Sequence, residues 1–272
     1  MHAPTSLPII EPDMLMLAYR SGIFPMADSR DDPEIFWVEP RRRAILPLDG
    51  FRCSRSLART LRRGRFRVTC NSAFAAVMRA CAQPREDSAE TWISERIAAS
   101  YLALHEAGHA HSVECWQTSA AGESRLVGGL YGVGFDRAFC GESMFSCVPD
   151  ASKIALAWLV AALRYAGARL LDCQFITDHL ASLGAVEISQ KRYLELLRAA
   201  QMPTDGDGGA ALGDGAGLGD GAVGLGGAAV GLGAGAAAGL ALPAGFAALL
   251  EAATGSSSSP GNFIAQSLTQ TS

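Results

Sequence analysis

The sequence predicts an α+β protein built around a mixed sheet, and three stretches carry that prediction. Residues 110–116 and 125–131 alternate as strands on either side of a turn at 117–124, so they pair antiparallel as a hairpin. Residues 138–145 and 170–175 read as further strands, joined through a helical pattern at 151–166. Strands connected in that way lie parallel, because a hairpin cannot link them. After Pro203 the composition changes: residues 205–272 hold 18 of the 30 glycines and five acids, with no Lys or Arg. The chain therefore divides into a small N-terminal α/β unit (1–68), a main unit (69–203) and a disordered low-complexity tail (204–272).

In chain order, residues 11–20 form a short helix with Leu15, Met16 and Tyr19 on one face, ended by Gly22. Phe36-Trp37 and residues 44–46 are strand pieces. Ser54 or Ser56 caps a helix over 57–63 that stops at Gly64, and residues 65–69 alternate as a strand. Asn71 or Ser72 caps a helix running to Cys81, and residues 92–105 supply another through Ile93, Ile97, Tyr101 and Leu104. Asp150 is the expected cap of the 151–166 helix, with Gly167 just past its end. A helix near 179–183 and an amphipathic one at 189–200 close the main unit.

Charge is uneven. The formal charge of −4 belongs to the tail, whereas residues 41–67 carry ten arginines against the single acid Asp49. Such a run is the electrostatic footprint of a polyanion partner such as nucleic acid, or else a solvated arginine-rich surface. The seven cysteines are odd in number, form no C-x-x-C pair and follow no export signal, as expected of reduced thiols in the cytosol. Residues 221–250 lack charge, but nine are Gly and eleven are Ala, so no membrane span is expected.

The most conspicuous short motif is His105-Glu106-Ala107-Gly108-His109, which satisfies the H-E-x-x-H zinc pattern. That chemistry needs both imidazoles one turn apart on a continuous helix. Gly108 sits where a helix should stop, so no metal site is expected. Ser143 lacks the final glycine of a nucleophile elbow, and Cys140 and Cys173 read as buried inert thiols. Asp172 and Gln174, two apart on a strand, should share a face, with Leu171 and Cys173 on the other. Together with Glu142 they place polar groups at the ends of the two parallel strands, where such sheets bind ligands.

Longer strings then agree with one family. Tyr-Arg-Ser-Gly-Ile-Phe-Pro (19–25), Thr-Trp-Ile (91–93), His-Glu-Ala-Gly-His-Ala-His-Ser (105–112), Val-Gly-Gly-Leu-Tyr-Gly-Val (127–133), Phe-Cys-Gly-Glu-Ser-Met-Phe-Ser (139–146) and Leu-Asp-Cys-Gln (171–174) all occur in order. Over residues 11–200 the chain resembles the leucyl/phenylalanyl-tRNA–protein transferases. The resemblance implies a GNAT-like acyltransferase domain with a small N-terminal domain packed on it. It implies a monomeric cytoplasmic enzyme without cofactor, moving Leu, Phe and less readily Met from aminoacyl-tRNA to proteins that begin with Arg or Lys. It implies that Asp172 and Gln174 activate the attacking amine, that Glu142 contacts the acceptor's N-terminal basic residue, and that Trp37 and Trp92 lie near the tRNA 3′ adenosine.

Added to the residue reading, it suggests Leu130, Phe139, Leu159, Leu163 and Leu171 as the side-chain pocket. Arg41, Arg42, Arg43, Arg55, Arg62, Arg63 and Arg65 become the candidates for gripping tRNA phosphates. The competing expectation is an N-acyltransferase using acyl-CoA. It calls for a glycine-rich pyrophosphate loop before the 151–166 helix, where Cys147-Val148-Pro149-Asp150 offers none.

Overall fold

A computed structural model of the protein describes residues 8–84, 91–203, 240, 242–255 and 259–269. The described elements are α1 (Pro12–Arg20), β1 (Phe24–Met26), β2 (Phe36–Val38), β3 (Arg42–Ile45), α2 (Arg55–Arg62), β4 (Arg67–Cys70), α3 (Phe74–Cys81), α4 (Glu95–Glu106) and β5 (Ala110–Thr118). They continue as β6 (Ser124–Phe135), β7 (Ala138–Ser146), α5 (Ala151–Tyr165), β8 (Leu170–Gln174), α6 (Asp178–Ser182), β9 (Val186–Ser189), α7 (Gln190–Gln201), α8 (Leu242–Gly255) and α9 (Pro260–Thr269).

The expected mixed sheet is present. Its seven strands run in the order β4-β5-β6-β7-β8-β3-β9. Only β7 and β8 are parallel, with Cys140 opposite Asp172, and α5 makes the crossover between them. One face of the sheet is covered by α5 with α2, α8 and α9, the other by α1, α3, α4 and α7, and each side has its own apolar core. None of the described helices is long and apolar enough to cross a membrane.

Local chemistry sets most of the helix starts. Ser54, Ser94 and Ser189 each accept a backbone N–H three residues on, from Leu57, Ile97 and Arg192. α3 starts otherwise: Ala73 is its N-cap, and the buried Glu114 on β5 accepts the Ser72 and Ala73 N–H groups. Neither Asn71 nor Ser72 makes the expected cap. Asp150 is the N-cap of α5 as expected, but its side chain makes no capping hydrogen bond; it sits at φ 69° and accepts a hydrogen bond from Thr60 on α2. α4 ends before Gly108, whose φ of +84° suits glycine, so His109 lies off the helix that carries His105. His105 instead stacks on Phe74 and uses Nδ1 on the Ala110 carbonyl, 2.7 Å away.

Two expectations about organisation change. β3 inserts between β8 and β9, so residues 42–45 belong to the main sheet, and the boundary expected at 68 falls inside the sheet-bearing unit. Of the described strands, only β1 and β2 lie outside that sheet, as a ribbon of their own. The tail is not structureless throughout. Leu242, Phe246 and Leu249 of α8 are buried, Phe246 meets Trp158 of α5 at 5.5 Å between ring centroids, and α9 lies along α2. Gly245 permits the close approach, since a Cβ there would stand 2.7 Å from the Ala162 carbonyl oxygen. The rest of the expected disordered tail lies outside the described residues.

Candidate active site

The parallel pair β7–β8 delivers Glu142 and Gln174 to the same end of the sheet, two residues beyond the Cys140–Asp172 register. A cleft of about 1140 Å³ opens there. Its apolar wall comes from Leu130, Leu156, Leu159 and Leu171, that is, from α5 and the sheet below it. Its polar floor is Tyr131, Glu142 and Gln174, and Trp92, Phe175 and His179 stand among its other lining residues.

The strand alternation that should put Asp172 and Gln174 on one face does not survive to Gln174. That residue has φ 60°, a left-handed conformation costly for a non-glycine side chain and often found at working sites. In consequence Leu171, Cys173 and Gln174 all line the cleft, whereas Asp172 does not. Asp172 turns into the protein at 0% exposure. Arg43 Nε donates to its Oδ1 at 2.9 Å, Arg43 Nη2 to its Oδ2 at 2.5 Å, and the Tyr193 hydroxyl to Oδ2 at 3.0 Å. The Gln174 backbone N–H donates to Oδ1 at 2.8 Å, so the caged carboxylate holds the strained residue in place.

Arg43 is thus no surface arginine. It is 1% exposed, lies between the rings of Phe24 and Tyr193 and also donates to the Gly22 carbonyl. Burial works against its charge, but Asp172 outweighs that and keeps it protonated. It cannot reach a phosphate, and the phosphate role expected of it is withdrawn. The expected roles for the others are sterically open: Arg41, Arg42, Arg55, Arg62, Arg63 and Arg65 are exposed, Arg42 facing Glu187 at 2.7 Å.

Glu142 is held quite differently. Tyr101 donates to its Oε2 at 3.0 Å, and Tyr19 hydrogen-bonds Tyr101 in turn. Its Oε1 has no hydrogen-bond partner among the described residues, and neither do the Gln174 amide nitrogen and the Tyr131 hydroxyl. Burial pushes the Glu142 carboxyl up to about 7, although hydrogen bonding by Tyr19, Gln174 and Tyr101 pulls it back, the Gln174 amide lying close to the carboxyl without ideal hydrogen-bond geometry; Asp172 adds a further push upward. Three buried, unsatisfied polar atoms at one cleft floor are costly unless a ligand completes them.

The remaining candidates fall into two groups. Trp92, Leu130, Leu159 and Leu171 line the cleft; Phe139 and Leu163 are fully buried core, Phe139 covering Gly132, and are withdrawn as pocket residues. Trp37 is 39% exposed on β2, paired with Pro25, and is not among the cleft-lining residues. Burial raises the Cys140 and Cys173 thiols well above their usual range, which fits inert thiols rather than nucleophiles. Sequence reasoning missed the three tyrosines and the Arg43–Tyr193 cage. Tyr19 and Tyr131 stand within strings that carried the resemblance, but nothing local marks them as neighbours of Glu142.

Comparison with known proteins agrees with these strings. Residues 45–198 match the family model described as leucyl/phenylalanyl-tRNA protein transferase, and residues 9–41 match that of its N-terminal domain. A protein named leucyl/phenylalanyl-tRNA–protein transferase from Novosphingobium aromaticivorans is 66% identical over 270 residues, covering 97% of each chain. One of the same name from Rhizorhabdus wittichii is 57% identical over 201 residues, 74% of this chain and 79% of that one. Among solved structures, FemX matches with a TM-score of 0.44 at 13% identity, over 65% of this chain and 66% of that one. On the family match and these relatives, the chain belongs to the leucyl/phenylalanyl-tRNA–protein transferase family and is an aminoacyltransferase.

Proposed function

We propose that the protein transfers leucine or phenylalanine, and less readily methionine, from aminoacyl-tRNA to the α-amine of proteins beginning with Arg or Lys. The transfer marks those proteins for degradation, and the protein acts in the cytoplasm as a monomer without cofactor. The observation that carries the reading is the mixed lining of the cleft, which brings apolar Leu130, Leu156, Leu159 and Leu171 together with polar Tyr131, Glu142 and Gln174. An apolar aminoacyl side chain fits the leucines, and a cationic acceptor terminus fits the polar residues, where Glu142 has one oxygen without a hydrogen-bond partner among the described residues.

An aminoacyl ester is already reactive toward amines, so holding the two reactants together supplies much of the acceleration, typically about 7–11 kcal/mol for well-oriented partners. Gln174 orients the incoming amine, and Asp172 acts as a positioning residue that fixes Gln174 through its backbone. Glu142 meets the acceptor's N-terminal residue, whose positive charge offsets the desolvation of the carboxylate. Trp92 lies beside the 3′ adenosine, with Trp37 further out. The exposed arginines of α2 and its flanks grip tRNA phosphates, which makes binding salt-dependent and largely indifferent to sequence.

The test is a transfer assay with Leu-tRNA, Phe-tRNA and acetyl-CoA as donors and peptides beginning with Arg, Lys or Ala as acceptors. Transfer of Leu and Phe to the Arg and Lys peptides is expected. Acetylation from acetyl-CoA with no transfer from tRNA would replace this reading by the acyl-CoA one.

A further inference from the structure

A helix that presents several arginines to a polyanion has to be held from its other side. α2 is eight residues long and carries Arg55, Arg59 and Arg62, with Arg63 as its C-cap, and all four are exposed. So short a helix does not hold itself together in water, and like charges three and four residues apart repel along its outer side. Its hold is the buried face of Leu57, Ala58 and Leu61, which shares one apolar core with α5 and α9.

α9 engages α2 closely. Its Ile264, Ala265 and Leu268 are buried in that core. At its start, a Cβ on Gly261 would stand 2.0 Å from the Leu61 carbonyl oxygen, so glycine is what lets α9 reach the last turn of α2, directly before Arg62 and Arg63. Its other end is tied by Arg164 of α5, which donates from Nε to the Leu48 carbonyl and from Nη1 to the Ser267 carbonyl, each at 3.0 Å. Leu48 belongs to the turn that precedes α2, so α9 is fixed beside both ends of the arginine helix. α8 anchors the pair through Phe246 on Trp158 and Gly245 on Ala162. Neither helix contains Lys or Arg, and their one charged residue is the exposed acid Glu251. They can therefore support a phosphate site but not bind phosphate themselves.

We propose that α8 and α9 form a tRNA-binding support: they hold α2 in the pose in which its arginines meet the phosphates, with Gly261 and Arg164 as the positioning residues. The C-terminal pair then sets the affinity for tRNA while leaving the reacting groups alone. The proposal rests on the reading above, in which the arginines of α2 grip tRNA.

The experiment compares two donors in transfer to an Arg peptide: Leu-tRNA, and leucyl-adenosine, which has the reacting ester but no phosphates. Wild type is set beside Gly261→Ala, Arg164→Met and Arg164→Lys. Gly261→Ala and Arg164→Met should raise KM for Leu-tRNA about tenfold at unchanged kcat and lower the salt slope of tRNA binding by about one unit. Transfer from leucyl-adenosine should stay as in the wild type, and Arg164→Lys, which keeps a cationic donor, should recover part of the affinity. Combined with Arg62→Glu and Arg63→Glu, the Gly261→Ala change should add little further loss, because both act on the same contacts. Equal losses with the two donors would make the pair a general brace of the fold and overturn the proposal. So would an unchanged KM for Leu-tRNA, or full additivity with the arginine changes. A wild type that transfers from neither donor strikes the transferase reading instead, and filter binding of uncharged tRNA to the same variants still decides the support.

Discussion

Asp172 and Glu142 stand on neighbouring parallel strands, two residues apart in register, and the protein treats them in opposite ways. Asp172 receives a bidentate arginine, a tyrosine and a backbone N–H. Glu142 accepts from one tyrosine, and its other oxygen has no hydrogen-bond partner of full geometry among the described residues. The first arrangement is that of a structural ion pair, where removing either partner strands a buried charge. The second is an unfinished site, whose missing hydrogen bonds fall to a ligand. Burial by itself therefore does not identify the working carboxylate; the count of satisfied oxygens does.

The comparison can be broken at several points. The largest effect is expected from Arg43→Met, which takes the bidentate cation from the buried Asp172 and leaves it only Tyr193 and the Gln174 N–H. Such losses run to about 3–5 kcal/mol, and urea unfolding near neutral pH would measure it. A change under about 1 kcal/mol would mean that the cage is not what stabilises Asp172. Next comes Phe246→Ala, which opens the contact between α8 and Trp158 on the wall side of the sheet. A loss of about 3 kcal/mol in unfolding is expected if the tail helices are part of the fold. Within the cleft, Leu159→Phe should fill the slot and favour leucine over phenylalanine as donor, by about tenfold in relative kcat/KM. Leu163→Val, one turn further along the same helix, should leave that ratio alone.

The smallest energetic effects lie on the arginine face. Replacing Arg62 and Arg63 with Glu should weaken tRNA binding and flatten its salt dependence by about one unit of slope per residue. Filter binding at several salt concentrations gives the slope. An unchanged slope would take these two arginines out of the interface. In this respect they contrast with Arg43, drawn from the same run but buried against Asp172.

That run shows where sequence reasoning reaches its limit. Ten arginines in 27 residues look alike when charge is counted. What separates Arg43 is that β3 crosses into the main sheet between β8 and β9, and that pairing is not local. The strand–helix–strand passage and the 110–131 hairpin were legible because periodicity and end signals are local, as was the helix stop at Gly108. β9 was overlooked because four residues, Val186–Ser189, are too few to distinguish from the lead into α7. The turn at Gln174 defeated the alternation argument, since a left-handed residue at a strand end leaves no mark in the sequence. α8 was hidden by its neighbours: Leu242, Phe246 and Leu249 have helical spacing, but they follow a long Gly/Ala stretch that suggested no packing. As for the site, the three polar residues Glu142, Asp172 and Gln174 were legible; that one of them is walled off and another exposed to the cleft was not.

The contrast between the two carboxylates is tested most directly by the pH dependence of unfolding in Glu142→Gln. The folded protein holds the Glu142 proton up to about 7, against an ordinary value of 4.5. A group raised in this way binds its proton more tightly in the folded state, so its contribution to stability is present below about 4.5 and is lost as pH rises through about 7. Gln cannot ionise and escapes that loss. Glu142→Gln should therefore be more stable than the wild type in urea at pH 8, with the difference closing toward pH 4.5. A variant that is less stable at pH 8 would show Glu142 to be a satisfied ion like Asp172, and the division between the two would fall.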